Sequence, residues 1–117
     1  MNPDIARWPG APGRSLAVTF GGLVFTVATA STKSASLGEQ TADALRVLDG
    51  RLAEAGSDKT RLLSCTVYIT DMARKPEMNE VWLAWVDPDH APQRACIGAA
   101  LEGDDLIEIV AVAAAGS

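Results

Sequence analysis

At 117 residues, the chain is long enough to bury one hydrophobic core and too short for two, so a single domain over residues 1–117 is predicted. Hydrophobic residues make up 48% and charged residues 21% of the sequence, a balance that is typical of a globular chain and excludes a disordered one. The formal net charge is −5, and without a cluster of Lys and Arg this charge makes nucleic-acid binding an unfavoured function.

The first predicted elements are an irregular arm and a β-hairpin. Prolines and glycines are frequent in residues 1–13, which predicts an arm with at most one short edge strand. Two segments rich in β-forming residues, 16–20 and 23–29, flank the dipeptide Gly21-Gly22. Such a pair of segments around two glycines predicts a tight hairpin.

A first helix is predicted over residues 38–55. Ser36 is a plausible N-cap, with Glu39 at the spacing of a capping box, and Gly56 is a natural stop signal. The helix has a continuous apolar face, formed by Ala44, Leu45, Leu48 and Leu52.

The second half of the chain predicts a strand, a helix and two further strands. The strand covers 62–70, and Pro76 suits the first turn of a helix over 75–87. The last strands lie near 93–101 and 106–114. The buried stripe of the second helix is predicted to contain Val81, Trp82 and Trp85.

This order of elements predicts an α+β fold with two helices packed on one face of a β-sheet. Both faces of the last predicted strand are nevertheless apolar: Ile107, Ile109, Ala111 and Ala113 point one way, and Leu106, Glu108, Val110 and Val112 point the other. Two helices cover only one face. Other copies of the chain, packed sheet against sheet, are therefore predicted to cover the second, which makes the protein a homo-oligomer with sites at its subunit boundaries.

Motifs that bind metals or cofactors are absent from the sequence. It contains one histidine, His90, interpreted as a turn residue at a helix end, and it has no CxxC, HExxH, GxGxxG or P-loop pattern. No metal and no cofactor is therefore predicted. Cys65 and Cys96 fall in apolar segments typical of buried thiols. No apolar run approaches the ~20 residues of a membrane span and no secretion signal is recognised, so a cytoplasmic protein is expected.

Two charged residues interrupt the apolar strands of the second half. Arg94 precedes a run of small apolar residues, and Glu108 lies within Leu-Ile-Glu-Ile-Val. Burying a charge in such a segment costs free energy unless the charge is paired, hydrogen-bonded or needed for binding or catalysis. Arg94 is predicted to anchor a substrate carboxylate, and Glu108 to orient water or transfer a proton. The alternative for both is a structural ion pair at a subunit boundary. If their strands formed a simple hairpin, the two groups would lie on the order of 15 Å apart, so a shared site would need another arrangement or two chains.

Several segments taken together resemble the Rid family, also called YjgF-like proteins. In the second half these are Met-Asn-Glu-Val-Trp at 78–82, Ala-Pro-Gln-Arg-Ala-Cys at 91–96 and Leu-Ile-Glu-Ile-Val-Ala at 106–111. In the first half they are Gly-Gly-Leu-Val-Phe-Thr at 21–26 and Glu-Gln-Thr at 39–41. The resemblance covers roughly residues 13–115.

The resemblance implies a chorismate-mutase-like α+β fold, a homotrimer and clefts between subunits. It also implies hydrolysis of small enamines and imines, such as 2-aminoacrylate, to a 2-oxo acid and ammonia. By the same resemblance Arg94 binds the substrate carboxylate and Glu108 positions the attacking water. Cys96 and Asn79 would line the pocket.

The hairpin departs from the best-studied deaminases of the family. Val27-Ala28 stand where those proteins have Ser-Gly after the Thr that matches Thr26, and Arg14 stands where they have a Tyr. The chain therefore resembles a less characterised branch. Arg14, Thr26, Val27 and Ala28 are all predicted to contribute to the substrate pocket.

Three functions are compatible with this sequence. The first is imine or enamine hydrolysis, which needs mainly orientation and modest acid–base help. The second is non-catalytic binding of a small carboxylate such as a 2-oxo acid, to which the apolar Val27 and Ala28 lend support. The third, endoribonuclease or translation-inhibitor activity, is disfavoured by the negative net charge and by the single histidine.

Overall fold

Six strands and two α-helices make up the fold within residues 4–116, which the computed structural model describes. The strands are β1 (Ala6–Pro9), β2 (Ser15–Phe20), β3 (Leu23–Thr29), β4 (Leu62–Ile69), β5 (Gln93–Gly98) and β6 (Ile107–Ala114); the helices are α1 (Leu37–Glu54) and α2 (Lys75–Trp85). Both helices pack on one side of the sheet, so the predicted α+β architecture is confirmed.

The predicted hairpin is formed by β2 and β3. Phe20 pairs with Leu23 across a two-residue turn, in which Gly21 has φ 61° and Gly22 has φ 81°. This left-handed backbone is accessible to glycine without strain, and it suits a tight hairpin turn. β1 pairs with β2 as the edge strand expected for the arm. Pro3, which also belongs to the predicted arm, lies outside the described residues.

Local capping signals set the ends of α1. The Ser36 hydroxyl accepts a hydrogen bond of 3.1 Å from the Glu39 amide, as an N-cap should. The Glu39 carboxylate does not return to Ser36 but accepts a 2.6 Å hydrogen bond from the Ser34 hydroxyl, so only half of the capping box forms. The helix stops before Gly56, which has φ 80°.

The buried stripe of α2 differs slightly from the prediction. Met78 and Trp82 are the residues of this helix that are fully buried, whereas Val81 and Trp85 are only partly covered. The Trp85 indole donates a 3.0 Å hydrogen bond to Asp49 on α1. Trp82 therefore belongs to the core, and Trp85 joins the two helices at their rim.

The strand order is β1-β2-β3-β6-β4-β5, with β6 between β3 and β4 and antiparallel to both. β5 pairs in parallel with β4 and forms an edge of the sheet. The simple hairpin considered for the last two strands is therefore wrong. A parallel pair needs a crossover, and α2 provides it between β4 and β5.

The two faces of the sheet differ in cover. On the helix side Ile107, Ile109 and Ala111 of β6 are at most 1% exposed. On the opposite side, here called the open face, Phe25 and Val27 remain 42% and 44% exposed. Within residues 4–116, neither helix is long and apolar enough to cross a membrane. The open face is thus a sheet surface that a single chain leaves uncovered.

Candidate functional site

Arg94 lies on the edge strand β5 and faces the helices. Its register partner on β4 is the buried Cys65, which fixes the side of the sheet to which it points. The Arg94 Nη1 donates a 2.8 Å hydrogen bond to the Asn79 Oδ1, and the guanidinium lies 5.3 Å from the centroid of the Trp82 ring. An amide and an aromatic ring thus hold the guanidinium in place.

The neighbours of Arg94 come from α2. Asn79 and Trp82 are three residues apart and therefore share one helix face. Because Trp82 is only 5% exposed, it forms a fixed surface under the guanidinium. Among residues 4–116 no carboxylate forms an ion pair with Arg94, so the remaining guanidinium donors are not neutralised within one chain.

The two cysteines differ in their surroundings. Cys65 is 1% exposed, and burial raises the pKa of its thiol to about 12 in spite of the opposing charge of Arg94. Cys96 is partly buried, two residues after Arg94 on the same side of β5, and both thiols are free. A thiol with the pKa of Cys65 is a poor nucleophile near neutral pH.

Glu108 lies on the open face, in the middle of the sheet. Its register partners are Thr29 on β3 and Tyr68 on β4. Among residues 4–116 its carboxylate forms no ion pair. It lines a cavity of about 360 Å³, here called the Glu108 cavity, together with Arg14, Ser15, Leu16, Val27, Thr29, Arg51 and Glu102.

Three of the predicted site residues meet in this cavity, namely Glu108, Arg14 and Val27. Thr26 and Ala28 require a correction. Their side chains are 4% and 1% exposed and point to the helices, because alternate residues of a strand face opposite sides. The Thr26 hydroxyl donates a 2.7 Å hydrogen bond to the Leu16 carbonyl oxygen and does not line the cavity.

Arg51 is a cavity residue that the sequence prediction missed. It directly precedes Leu52 of the apolar face of α1 and resembles any cation in the last turn of a helix. Its Nη1 donates a 2.7 Å hydrogen bond to the carbonyl oxygen of Val27. The register of β2 with β3 begins at Ala17 opposite Thr26, so Val27 lies beyond the paired residues on that side, and no pattern in the sequence signals its contact with Arg51.

Arg94 and Glu108 lie on opposite sides of the sheet. Their strands are separated by β4, and their register partners on β4, Cys65 and Tyr68, are three residues apart. With strand spacings of about 4.8 Å and a rise of about 3.3 Å per residue, the two Cα atoms are roughly 14 Å apart. One chain therefore does not bring both groups to one substrate.

A buried glutamine holds the loops beside the Glu108 cavity. Gln40 is 0% exposed, and its Nε2 donates to the carbonyl oxygens of Ser34 at 2.7 Å and Asp104 at 2.9 Å. Its Oε1 accepts a 2.9 Å hydrogen bond from the Leu106 amide. These bonds fix Leu106, which precedes the first residue of β6 and lies two positions before Glu108.

A buried carboxylate on the same helix ties down the loop after β3. Asp43 accepts hydrogen bonds of 2.8 Å from the Thr32 amide and the Ser31 hydroxyl. These donors, with Arg46, lower the pKa of Asp43 from 3.8 to about 2. The loop therefore depends on the ionised form of Asp43.

Comparison with known proteins identifies the family of this fold and site. The family model described as "Endoribonuclease L-PSP" matches residues 12–115, nearly the whole chain. The chain belongs to the L-PSP family. This family includes the YjgF-like and Rid proteins, so the resemblance found in the sequence motifs is confirmed.

Relatives of known sequence in the L-PSP family match about two thirds of the chain. A RutC family protein from Haemophilus ducreyi is 44% identical over 77 residues, which are 65% of this chain and 66% of that protein. The RutC family protein YoaB from Escherichia coli (strain K12) is 39% identical over 77 residues, 65% of this chain and 68% of that protein. This chain thus spans about two thirds of the length of these relatives.

Solved structures of L-PSP relatives match over almost the full chain. A YjgF-family protein from Neisseria meningitidis is 38% identical, with a TM-score of 0.93 and 97% of each chain covered. A proposed translation initiation inhibitor from Salmonella typhimurium is 33% identical, with a TM-score of 0.87 over 94% of this chain and 96% of that one. These matches confirm the predicted YjgF-like fold.

Proposed function

We propose that the protein hydrolyses small enamine and imine acids to 2-oxo acids and ammonia, in a cleft formed between two copies of the chain. The observation that carries this proposal is the setting of Arg94. Asn79 and Trp82 hold its guanidinium, and among residues 4–116 no carboxylate neutralises it. Such a fork suits the planar, two-oxygen carboxylate of a small acid.

A cleft between two copies follows from the distance between Arg94 and Glu108. The two groups are roughly 14 Å apart on opposite sides of one sheet, and an arginine on an edge strand can approach the cavity of a neighbour. The open face offers apolar surface for the assembly, including Phe25, Val27 and Ile97. We take the assembly to be a closed homotrimer, as the resemblance to Rid proteins implies.

The chemistry requires little beyond orientation. Arg94 holds the substrate carboxylate while the enamine tautomerises to its imine. Glu108 of a neighbouring copy orients a water whose oxygen attacks the imine carbon. The carbon–nitrogen bond then breaks, ammonia leaves, and the 2-oxo acid remains. Because an imine is already electrophilic, a positioned carboxylate and a fixed guanidinium are sufficient.

A coupled assay tests the activity. A serine/threonine dehydratase generates 2-iminobutanoate or 2-aminoacrylate, and the decay of the intermediate is followed with and without the protein. We expect acceleration by the parent chain, a loss of about 100-fold in Glu108→Gln, and no change in the control Arg46→Gln, an exposed cation of α1. An Arg94→Gln variant that retains both hydrolysis and 2-oxobutanoate binding would contradict the site.

Light scattering tests the assembly. We expect the mass of three chains, and a smaller species for Phe25→Glu, which adds a charge to the open face. The matched control is Leu83→Glu, which changes a 65% exposed residue on the outside of α2. A monodisperse monomer of the parent chain would refute the assembly and the shared cleft with it.

Binding without turnover is the second candidate. It is favoured by the wall of the Glu108 cavity, where Val27 contributes an apolar side chain and the neighbouring Thr26 hydroxyl is bonded to Leu16. Saturable 2-oxo acid binding that requires Arg94, without accelerated imine decay, would identify this function. Nuclease chemistry has less support, because His90 lies in the turn after α2, 3.2 Å from Asp87, and does not line this cavity.

A further inference from the structure

Two guanidinium groups line the Glu108 cavity, from different parts of the fold. Arg14 lies in the loop just before β2, and Arg51 reaches the cavity from α1. Arg51 uses one donor on the Val27 carbonyl oxygen, at 2.7 Å. Among residues 4–116 neither arginine forms an ion pair. The cavity therefore offers guanidinium donors that no carboxylate of the same chain occupies.

A substrate with one carboxylate does not need these donors. Under the proposed function, Arg94 of another copy already holds that carboxylate. Glu108 is committed to the water, and Glu102 is the other acidic residue of the cavity. The two arginines balance Glu102 and Glu108 in formal charge, but among residues 4–116 neither guanidinium is ion-paired, so both offer N–H donors to a further carboxylate.

We propose that the physiological substrate is a dicarboxylic 2-imino acid of four or five carbons, whose distal carboxylate binds Arg14 and Arg51. This inference rests on the proposed function and names its substrate class. Leu16 and Val27 line the same cavity and supply apolar contact for the methylene carbons between the two carboxylates. Such an imine arises when an oxidase or dehydrogenase transfers a hydride from Cα of an acidic amino acid to its own flavin or nicotinamide and the amino nitrogen loses a proton.

The reaction is the same hydrolysis. The oxygen of water bonds to the imine carbon, the carbon–nitrogen bond breaks, and the nitrogen leaves as ammonia with the protons of the water. The product is a dicarboxylic 2-oxo acid. No electrons are transferred in this step, and the distal carboxylate takes no part beyond binding.

A purely structural role for Arg14 makes a different prediction. If Arg14 paired with Glu102 or Glu108 in the assembled cleft, its removal would disturb the cavity for every substrate. Rates for monocarboxylic and dicarboxylic imines would then fall together. A role in binding the distal carboxylate lowers the rate for the dicarboxylic imine alone.

The experiment compares two imines made in the same way. An aspartate oxidase generates 2-iminosuccinate and an alanine-oxidising enzyme generates 2-iminopropanoate, and kcat/KM is measured for the parent chain and its variants. We expect the parent chain to prefer the dicarboxylic imine, and Arg14→Gln to lower its kcat/KM by about 10-fold or more. The kcat/KM of Arg14→Gln for 2-iminopropanoate should stay within about 2-fold of the value for the parent chain. Arg14→Lys should retain part of the preference for the dicarboxylic imine, and Arg46→Gln should retain all of it.

Two results would overturn the inference: a parent chain that prefers 2-iminopropanoate, or an Arg14→Gln variant that loses both activities equally. If neither imine is hydrolysed, the proposed function fails, and calorimetry then decides the inference by itself. Tighter binding of 2-oxoglutarate than of 2-oxobutanoate, lost in Arg14→Gln, supports the distal carboxylate site. Equal binding of the two acids refutes it.

Discussion

Replacing Gln40 by leucine tests whether the loops beside Glu108 depend on one buried amide. The substitution keeps a similar side-chain volume and removes three hydrogen bonds, to Ser34, Asp104 and the Leu106 amide. The Leu106 amide would be left buried without an acceptor, which costs about 1–3 kcal/mol. The carbonyl oxygens of Ser34 and Asp104 can bond to water instead, so the loss of each of these hydrogen bonds costs less. We therefore expect the free energy of unfolding to fall by about 3 kcal/mol.

Thermal and urea unfolding at equal protomer concentration measure this change. With an unfolding entropy of about 2.1 cal/mol/K per residue, a loss of 3 kcal/mol lowers the Tm by roughly 12 °C. The control Glu54→Leu, at an exposed position of the same helix, should stay within about 0.5 kcal/mol of the parent chain. Amide exchange should quicken at Leu106 and remain slow at Ile109. A Gln40→Leu variant as stable as its control would refute the reasoning.

Three further predictions concern single groups. Hydrogen bonds lower the pKa of Asp43 to about 2, so its ionised form stabilises the fold above pH ~4, and this contribution is lost as the pH falls towards 2. The difference in unfolding free energy between the parent chain and Asp43→Asn should therefore shrink between these two pH values. A difference that does not change with pH would contradict the assignment. At pH 8 iodoacetamide should modify Cys96 and leave Cys65 unmodified until urea is added, because burial raises the pKa of the Cys65 thiol to about 12. Mass spectrometry measures the labelling of each cysteine. Equal labelling of the two in the native state would contradict the burial of Cys65. Asn79→Ala should weaken 2-oxobutanoate binding about 10-fold, because the Arg94 guanidinium loses the side chain that orients it, and the free energy of unfolding should change little. Calorimetry measures the affinity, and an unaltered value would mean that Asn79 does not orient the guanidinium.

The parts of the fold that were predicted correctly depend on local signals. Gly21-Gly22 defined the hairpin, and Ser36 and Gly56 marked the ends of α1, because turns and caps are decided by a few adjacent residues. The neighbours of β5 and β6 were not predictable in this way. Their pairing depends on a crossover and on contacts distant in sequence, which no turn signal encodes.

The candidate site was predicted only in part, because it too depends on contacts between residues distant in sequence. Arg94 and Glu108 are recognisable as charges in apolar strands, but the side of the sheet on which each lies follows from strand pairing, which the residues alone did not give. Thr26 and Ala28 were assigned to the pocket with Val27, although three consecutive strand residues cannot share one face. Arg51 was missed because a helical cation gives no sign of the strand it will contact.

The central place of β6 has a consequence for the order in which the protein can fold during synthesis. β3 and β4 both pair with β6 and not with each other, so no stable sheet joins the two halves of the chain until residue 114 has left the ribosome. Until then the nascent chain exposes the unpaired edges of β3 and β4, the kind of surface that chaperones recognise and that associates between chains. A ribosome stalled between β5 and β6 would therefore hold an aggregation-prone intermediate, and the insertion of one strand would convert it to the native sheet.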